Sequence, residues 1–221
     1  MAPAWLTVLA WIYLSTCFCC ALVIAYDIFV NGRRQAMGVM NAVFPITALY
    51  LGPLALAFYF RWARATAHGR RRPWWAMMAT EVSHCGAGCV LGDVISEFAI
   101  FALALTIGGS TLAAEYLGDY VLALAFGILF QYFAIAPMRG LGLKDGLKAA
   151  TKADFISLTF FEVGLFAWMA IMTFVLFPAP HQLMPNSASF WLLMQAGMVI
   201  GYVTSWPANV WLVNRGIKVP M

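Results

Sequence analysis

Charge is scarce in this sequence. Its 221 residues include 13 Lys and Arg and 9 Asp and Glu, so charged side chains make up only 10%, against about 25% in an ordinary soluble domain. With 63% hydrophobic side chains and a mean hydropathy of +0.83, there is too little polar surface to keep the chain monomeric in water. Other absences narrow the function. No P-loop, nucleophile elbow or H-E-x-x-H motif occurs, so ATP-driven transport and proteolysis by those routes have no support. All lysines (Lys144, Lys148, Lys152 and Lys218) fall outside the deep apolar runs, which leaves no retinal Schiff base. His84 is the one histidine within a run, which excludes a bis-histidine haem held by a single chain. Cys17, Cys19, Cys20, Cys85 and Cys89 sit in apolar, helix-like stretches, so they do not form a secreted disulfide framework. The first apolar run has no basic lead and outruns a signal-peptide core, so it is expected to remain as a helix.

What the sequence does have is hydrophobic length. Apolar segments near residues 4–30, 36–60, 84–108, 117–138, 154–177 and 190–213 each reach the roughly 20 residues that span a bilayer. The expected fold is an all-α polytopic transmembrane helix bundle, about six spans in the lipid bilayer, forming a single domain over residues 1–221. Residues 74–83, opening on Trp74 and Trp75 after Arg70, Arg71, Arg72 and Pro73, read as an interfacial helix or tilted lead-in. If both termini are cytoplasmic, Arg61, Arg64, Arg70, Arg71, Arg72, Arg139, Lys144, Lys148, Lys152, Arg215 and Lys218 share the inner side. Only Arg33 and Arg34 fall opposite, while Glu115, Asp119 and His181 mark outer loops. The net charge of +4 is then the positive-inside bias, and no nucleic-acid partner is expected.

An ionisable group at bilayer depth costs roughly 2.5–3.5 kcal/mol, so each one marks a buried pair or a functional pathway. The third segment reads T-E-V-S-H-C-G-A-G-C-V-L-G-D-V-I-S-E-F from Thr80. At about 100° per residue, Glu81, Cys85, Cys89 and Ser96 share one arc, with Asp93 and Glu97 on one flank and His84 on the other. Such a stripe must face the bundle interior. Gly86, Gly88 and Gly92 read as packing positions rather than a helix break. Thiolate and imidazole suit a soft metal, copper or zinc, so His84, Cys85 and Cys89 are the candidate metal ligands. Glu81, Asp93, Glu97 and Glu162 are candidates for a proton or ion pathway. Glu162, in the fifth segment, needs a partner at that depth, either Asp93 or Glu97 sharing its proton, or His84. Met169, Met172, Met194 and Met198 are auxiliary soft ligands at most, since methionine stripes more often fill cores.

The ten residues H-C-G-A-G-C-V-L-G-D (His84–Asp93) resemble a motif of an uncharacterised family of small bacterial polytopic membrane proteins, known only as a domain of unknown function. Phe130–Gly140 (F-Q-Y-F-A-I-A-P-M-R-G), Lys152–Met169 and the tail from Trp206 to Lys218 are similar to it as well, so the resemblance runs from about residue 75 onward. It implies a bacterial inner membrane and carries an expectation of copper handling, but no settled activity.

Three functions follow as expectations. The first is a transporter or binding protein for a small cation, a soft metal bound at His84, Cys85 and Cys89 with proton coupling through the carboxylates, since such ligands release protons as metal binds. The second is a thiol oxidoreductase cycling Cys85 and Cys89 against a quinone, which needs local unwinding because i,i+4 is marginal disulfide geometry. The third is a non-catalytic subunit or assembly factor within a homo-oligomer or larger membrane complex. No catalytic residue is assigned.

Overall fold

The computed structural model describes residues 2–65 and 72–218, with side chains for all of these but 137–139. Among the described residues are seven α-helices and no β-strand: α1 (Ala4–Phe29), α2 (Met40–Leu51), α3 (Pro53–Phe58), α4 (Trp74–Leu103), α5 (Thr111–Arg139), α6 (Leu143–Ile171) and α7 (Ala188–Asn214). Five of them are long and apolar enough to cross a membrane: α1, α4, α5, α6 with the π-helical turn that extends it to Leu176, and α7. The protein is an integral membrane protein. Helix ends follow local chemistry. Ser110 Oγ accepts from Ala113 N at 3.2 Å and Ser187 Oγ from Phe190 N at 3.3 Å, capping the starts of α5 and α7.

The second apolar run, expected as one span over 36–60, is a hairpin. α2 has only 12 residues, about 18 Å at 1.5 Å per residue, which is short of a hydrocarbon core of about 30 Å. Gly52 breaks it with φ 51 and ψ −124, a conformation glycine reaches without a Cβ penalty, and Pro53 disfavours a helical residue before it. The break lies beside the middle of α1, where a Cβ on Gly52 would come within 2.8 Å of Cys17 Sγ. Two carbonyls freed there are taken by side chains: Tyr13 Oη donates to Tyr50 O at 3.1 Å, and Gln195 Nε2 donates to Leu49 O. α3 and a π-helical turn, Tyr59–Ala63, then lead back to the end of α1 at which α2 began.

An odd number of crossings follows, and it separates the termini. Thr7 Oγ1 meets Ser189 Oγ at 3.3 Å, so α1 and α7 start at the same end of the bundle and run parallel. The chain's beginning and its tail after α7 therefore lie at opposite ends, which differs from the expectation of both termini on one side. Arg33 and Arg34 cease to be exceptions. They join Arg61, Arg64, Arg72, Lys144, Lys148, Lys152, Arg215 and Lys218 at the end where α4 begins and α7 finishes; Arg70 and Arg71 lie outside the described residues.

Residues 74–83, expected as an interfacial lead-in, are the first turns of α4 and continuous with the rest of it. α4 packs against α2, α5, α6 and α7, and it is buried almost without interruption from Ala76 to Val90. Its glycines permit that position. A Cβ on Gly88 would sit 2.8 Å from the backbone N of Gly127 in α5, and one on Gly92 would strike the backbone of Ala123, so α4 and α5 touch main chain to main chain. Trp5, Trp11, Phe18, Phe133, Phe174 and other large apolar side chains remain exposed on the outer surface, as lipid-facing positions require.

Candidate functional site

α4 carries Glu81, His84, Asp93 and Glu97 at 0% exposure, with Cys85 and Cys89 also fully buried. Because α4 is central, its polar stripe turns toward α5 and α6, and those helices bring further acids. Asp119 of α5 and Glu162 of α6 are 0% and 1% exposed. Both oxygens of Asp93, Glu97, Asp119 and Glu162 lack a well-formed hydrogen bond. These four carboxyls face one another: Asp93 lies within electrostatic reach of Glu162, Asp119 and Glu97, and Glu97 within reach of Asp119 and Glu115. Like charges gathered in an apolar interior cannot all be carried at once, so the group must share protons.

The array has two ends. At the end where α5 begins, Glu115 lines a cavity of about 280 Å3 together with Ser110, Thr111, Thr173, Gln182 and Phe190. Toward the other end, Glu162 lies next to the Cys89 thiol and Cys89 next to Cys85. Cys85 Sγ is 3.6 Å from Ser157 Oγ, and Ser157 belongs to an ionic cluster. Lys218 Nζ donates to Asn209 Oδ1 at 2.9 Å, to Ser157 Oγ at 3.0 Å and to Asp154 Oδ1 at 3.5 Å. Asp154, Ser157 and Asn209 are all 0% exposed and Lys218 is 2%. Burial alone would lower the Lys218 pKa, but Asp154, Glu81 and Cys85 facing it more than offset that, and it rises above the ordinary lysine value. A raised lysine contributes its full stability below the ordinary value and loses it only as pH climbs through the raised one. Across neutral pH Lys218 is a fixed cation, which is the wrong state for a general base toward Ser157.

The remaining candidates separate. His84 meets Phe130 edge-on at 6.3 Å, and its charged neighbours are Asp154 and Lys218. Among the described residues, no three His, Cys, Asp or Glu side chains are grouped as a metal ion would need. The cysteines are unbonded thiols on an unbroken helix, so the unwinding that a Cys85–Cys89 disulfide requires is not present. Met169, Met172 and Met194 fill an apolar cluster with Leu165 and Phe190, and Met198 packs with Tyr50, Leu158 and Phe161.

Sequence reasoning placed Glu115 and Asp119 in an outer loop, but α5 starts at Thr111 and includes both. A signal was available, since Leu-Gly-Asp occurs at 91–93 and again at 117–119. In each case the glycine sits at the α4–α5 contact, Gly92 against Ala123 and Gly118 against Ser96, and the acid beside it is buried. Lys218 was counted as a cytoplasmic tail charge. It is buried because Gly216, at φ 67, turns the chain back so that Ile217 N and Lys218 N both donate to Leu212 O at 3.0 and 3.3 Å, an αL helix cap.

Fold and site together define a polytopic helix bundle with a buried array of carboxyl, thiol and hydroxyl groups. The family described as Domain of unknown function (DUF4396) matches residues 74–218, and the chain belongs to it. The matched part comprises α4 to α7 and the tail through Lys218, and leaves out α1, α2 and α3. No curated protein and no solved structure matches the chain.

Proposed function

We propose that the protein is a proton-coupled transporter of a small cation, with Asp93, Glu97, Asp119 and Glu162 as the exchanging groups. The observation that carries this reading is the convergence of four buried carboxyls from three helices with no Lys or Arg paired to them among the described residues. Each costs several kcal/mol to bury as an ion, and an ionisable side chain within a span marks a proton or ion pathway by default. The continuity of polar groups from the Glu115 cavity to Ser157 supports it further. Glu81, on the same helix, extends the acidic set toward Lys218. Copper or zinc is the soft-metal form of the cargo, with Cys85 and Cys89 as its nearest donors. The basic end of the bundle is read as cytoplasmic and the membrane as a bacterial inner membrane.

Liposomes containing the purified protein and an internal pH dye test this. Under an imposed membrane potential, the wild-type chain should move protons faster than protein-free liposomes, with a rate that depends on which cation is opposite: an alkali metal ion, Cu(I) or Zn(II). Glu162→Gln should lower the flux at least about tenfold, equivalent to roughly 1.4 kcal/mol. Equal flux in wild type and Glu162→Gln, or wild-type flux no greater than in empty liposomes with every cation, overturns the proposal. For orientation, a reporter that matures only in the cytoplasm should be active at the C-terminus and silent at the N-terminus. The opposite pattern reverses the assignment.

A further inference from the structure

The cluster around Lys218 has the composition of a cation site. Three oxygens from two helices, Asp154 Oδ1 and Ser157 Oγ of α6 and Asn209 Oδ1 of α7, surround one Nζ at 2.9–3.5 Å. One is a carboxylate oxygen and two are neutral, so a single positive charge balances Asp154. Sets of carboxylate, hydroxyl and amide oxygens suit cations that prefer oxygen to sulfur or nitrogen donors. The positions are fixed independently of the lysine: Asn209 Nδ2 donates to Ser205 O at 3.0 Å, and Ser157 Oγ lies 3.1 Å from Asp154 O. Asp154 Oδ2, also buried, has no hydrogen-bond partner. It lies at the α5–α6 crossing, where a Cβ on Gly127 would strike it. The ammonium itself arrives on a short tether. Only Arg215, Gly216 and Ile217 separate it from the end of α7, and the backbone bonds to Leu212 O and Val213 O that fold it inward all lie in that turn.

We propose that Asp154, Ser157 and Asn209 form a binding site for a monovalent cation of the alkali-metal or ammonium type, which Lys218 fills as a tethered, displaceable occupant. While it is filled, the path from Cys85 through Ser157 ends on a fixed positive charge that repels an arriving cation. When the tail disengages, the same oxygens accept the free ion. The naming of a path rests on the transport reading above; the occupancy of the site does not, and it is measured without flux.

The first test uses the unmodified full chain in detergent. Lys218 acylation by an amine-reactive reagent is followed by mass spectrometry in potassium or methylammonium chloride and in N-methylglucamine chloride of equal strength, with Lys144 and Lys148 as exposed references. Displacement predicts labelling of Lys218 that rises severalfold with the small cations while the references stay constant. Labelling of Lys218 that is the same in all three salts overturns the proposal, whether or not any variant folds. The second test is Lys218→Ala, whose melting temperature should rise saturably with potassium or methylammonium, an effect weaker in the wild type, where the tethered ammonium competes, and absent from Asp154→Asn/Lys218→Ala. A folded Lys218→Ala protein indifferent to both cations also overturns it. Loss of proton flux in Glu162→Gln, or its persistence, bears on the transport reading alone.

Discussion

Asp27 and Glu162 are both acids buried within apolar helices, and the two halves of the molecule treat them differently. Asp27, in the unit of α1 and the α2–α3 hairpin, receives Arg64 Nε at 2.8 Å and Arg64 Nη2 at 2.6 Å in bidentate geometry, with Tyr59 Oη at 3.0 Å and Asn31 Nδ2 at 3.2 Å. Every oxygen is used. Glu162, in the bundle of α4 to α7, has neither oxygen in a well-formed hydrogen bond, and neither have Asp93, Glu97 and Asp119 around it. Burying an acid carries a similar desolvation cost in both places; it is offset locally at Asp27, as it is at Asp154 beside Lys218, but not at the four carboxyls around Glu162. The family match, residues 74–218, covers the bundle that holds these four carboxyls. On the proposed transport function, the N-terminal unit is a scaffold whose acid is satisfied, and the four carboxyls around Glu162 are kept for exchange.

Substitutions in the two units should have different effects. The largest effect is expected at the α4–α5 contact, where Gly92→Leu drives a side chain into the Ala123 backbone and should cost about 3 kcal/mol by thermal or denaturant unfolding. Gly38→Ala, with open space around its Cβ, should change little. Asp27→Asn leaves Arg64 without its carboxylate. Because the Arg64 side chain is 30% exposed, water recovers part of the loss, and the expected destabilisation is about 2 kcal/mol rather than the larger cost of a fully buried pair. Glu162→Gln should move the other way, leaving the melting temperature unchanged or raising stability by up to about 1 kcal/mol despite its loss of flux, as is common where function maintains a destabilising group. A modest loss is expected in the hairpin. Gly52→Ala should cost about 1 kcal/mol from its positive φ and its contact with Cys17, and a double-mutant cycle with Cys17→Ala should show coupling between the two.

The membrane class and the long helices were legible because hydropathy over about 20 residues is a strong signal. α1 and α7 fall within two residues of their expected limits. The hairpin was not legible, since residues 36–60 have enough apolar length for a span and only Gly52-Pro53 marks the reversal. The buried stripe on α4 could be read from its composition, because Glu81, Asp93 and Glu97 have nowhere else to go in an apolar helix. Its partners could not. Asp119 and Glu115 lie close enough to the helix start to pass for loop residues, and the burial of Lys218 depends on a turn at Gly216 that brings together residues about 60 positions apart, Lys218 with Ser157 and Asp154. How His84 sits relative to Cys85 and Cys89 was not legible for a simpler reason. Neighbours in sequence on a helix point in different directions, and His84 points toward Phe130 and Asp154 while the thiols follow the line from Ser157 to Glu162.

The most direct measurement of the central claim is proton flux per folded molecule for Asp27→Asn and Asp93→Asn side by side in liposomes of the same composition. The account predicts that Asp27→Asn, though less stable, conducts like the wild type once corrected for folded protein, while Asp93→Asn, though no less stable, falls at least about tenfold. Flux that is lost with Asp27→Asn and retained with Asp93→Asn would contradict the division of the molecule into scaffold and pathway.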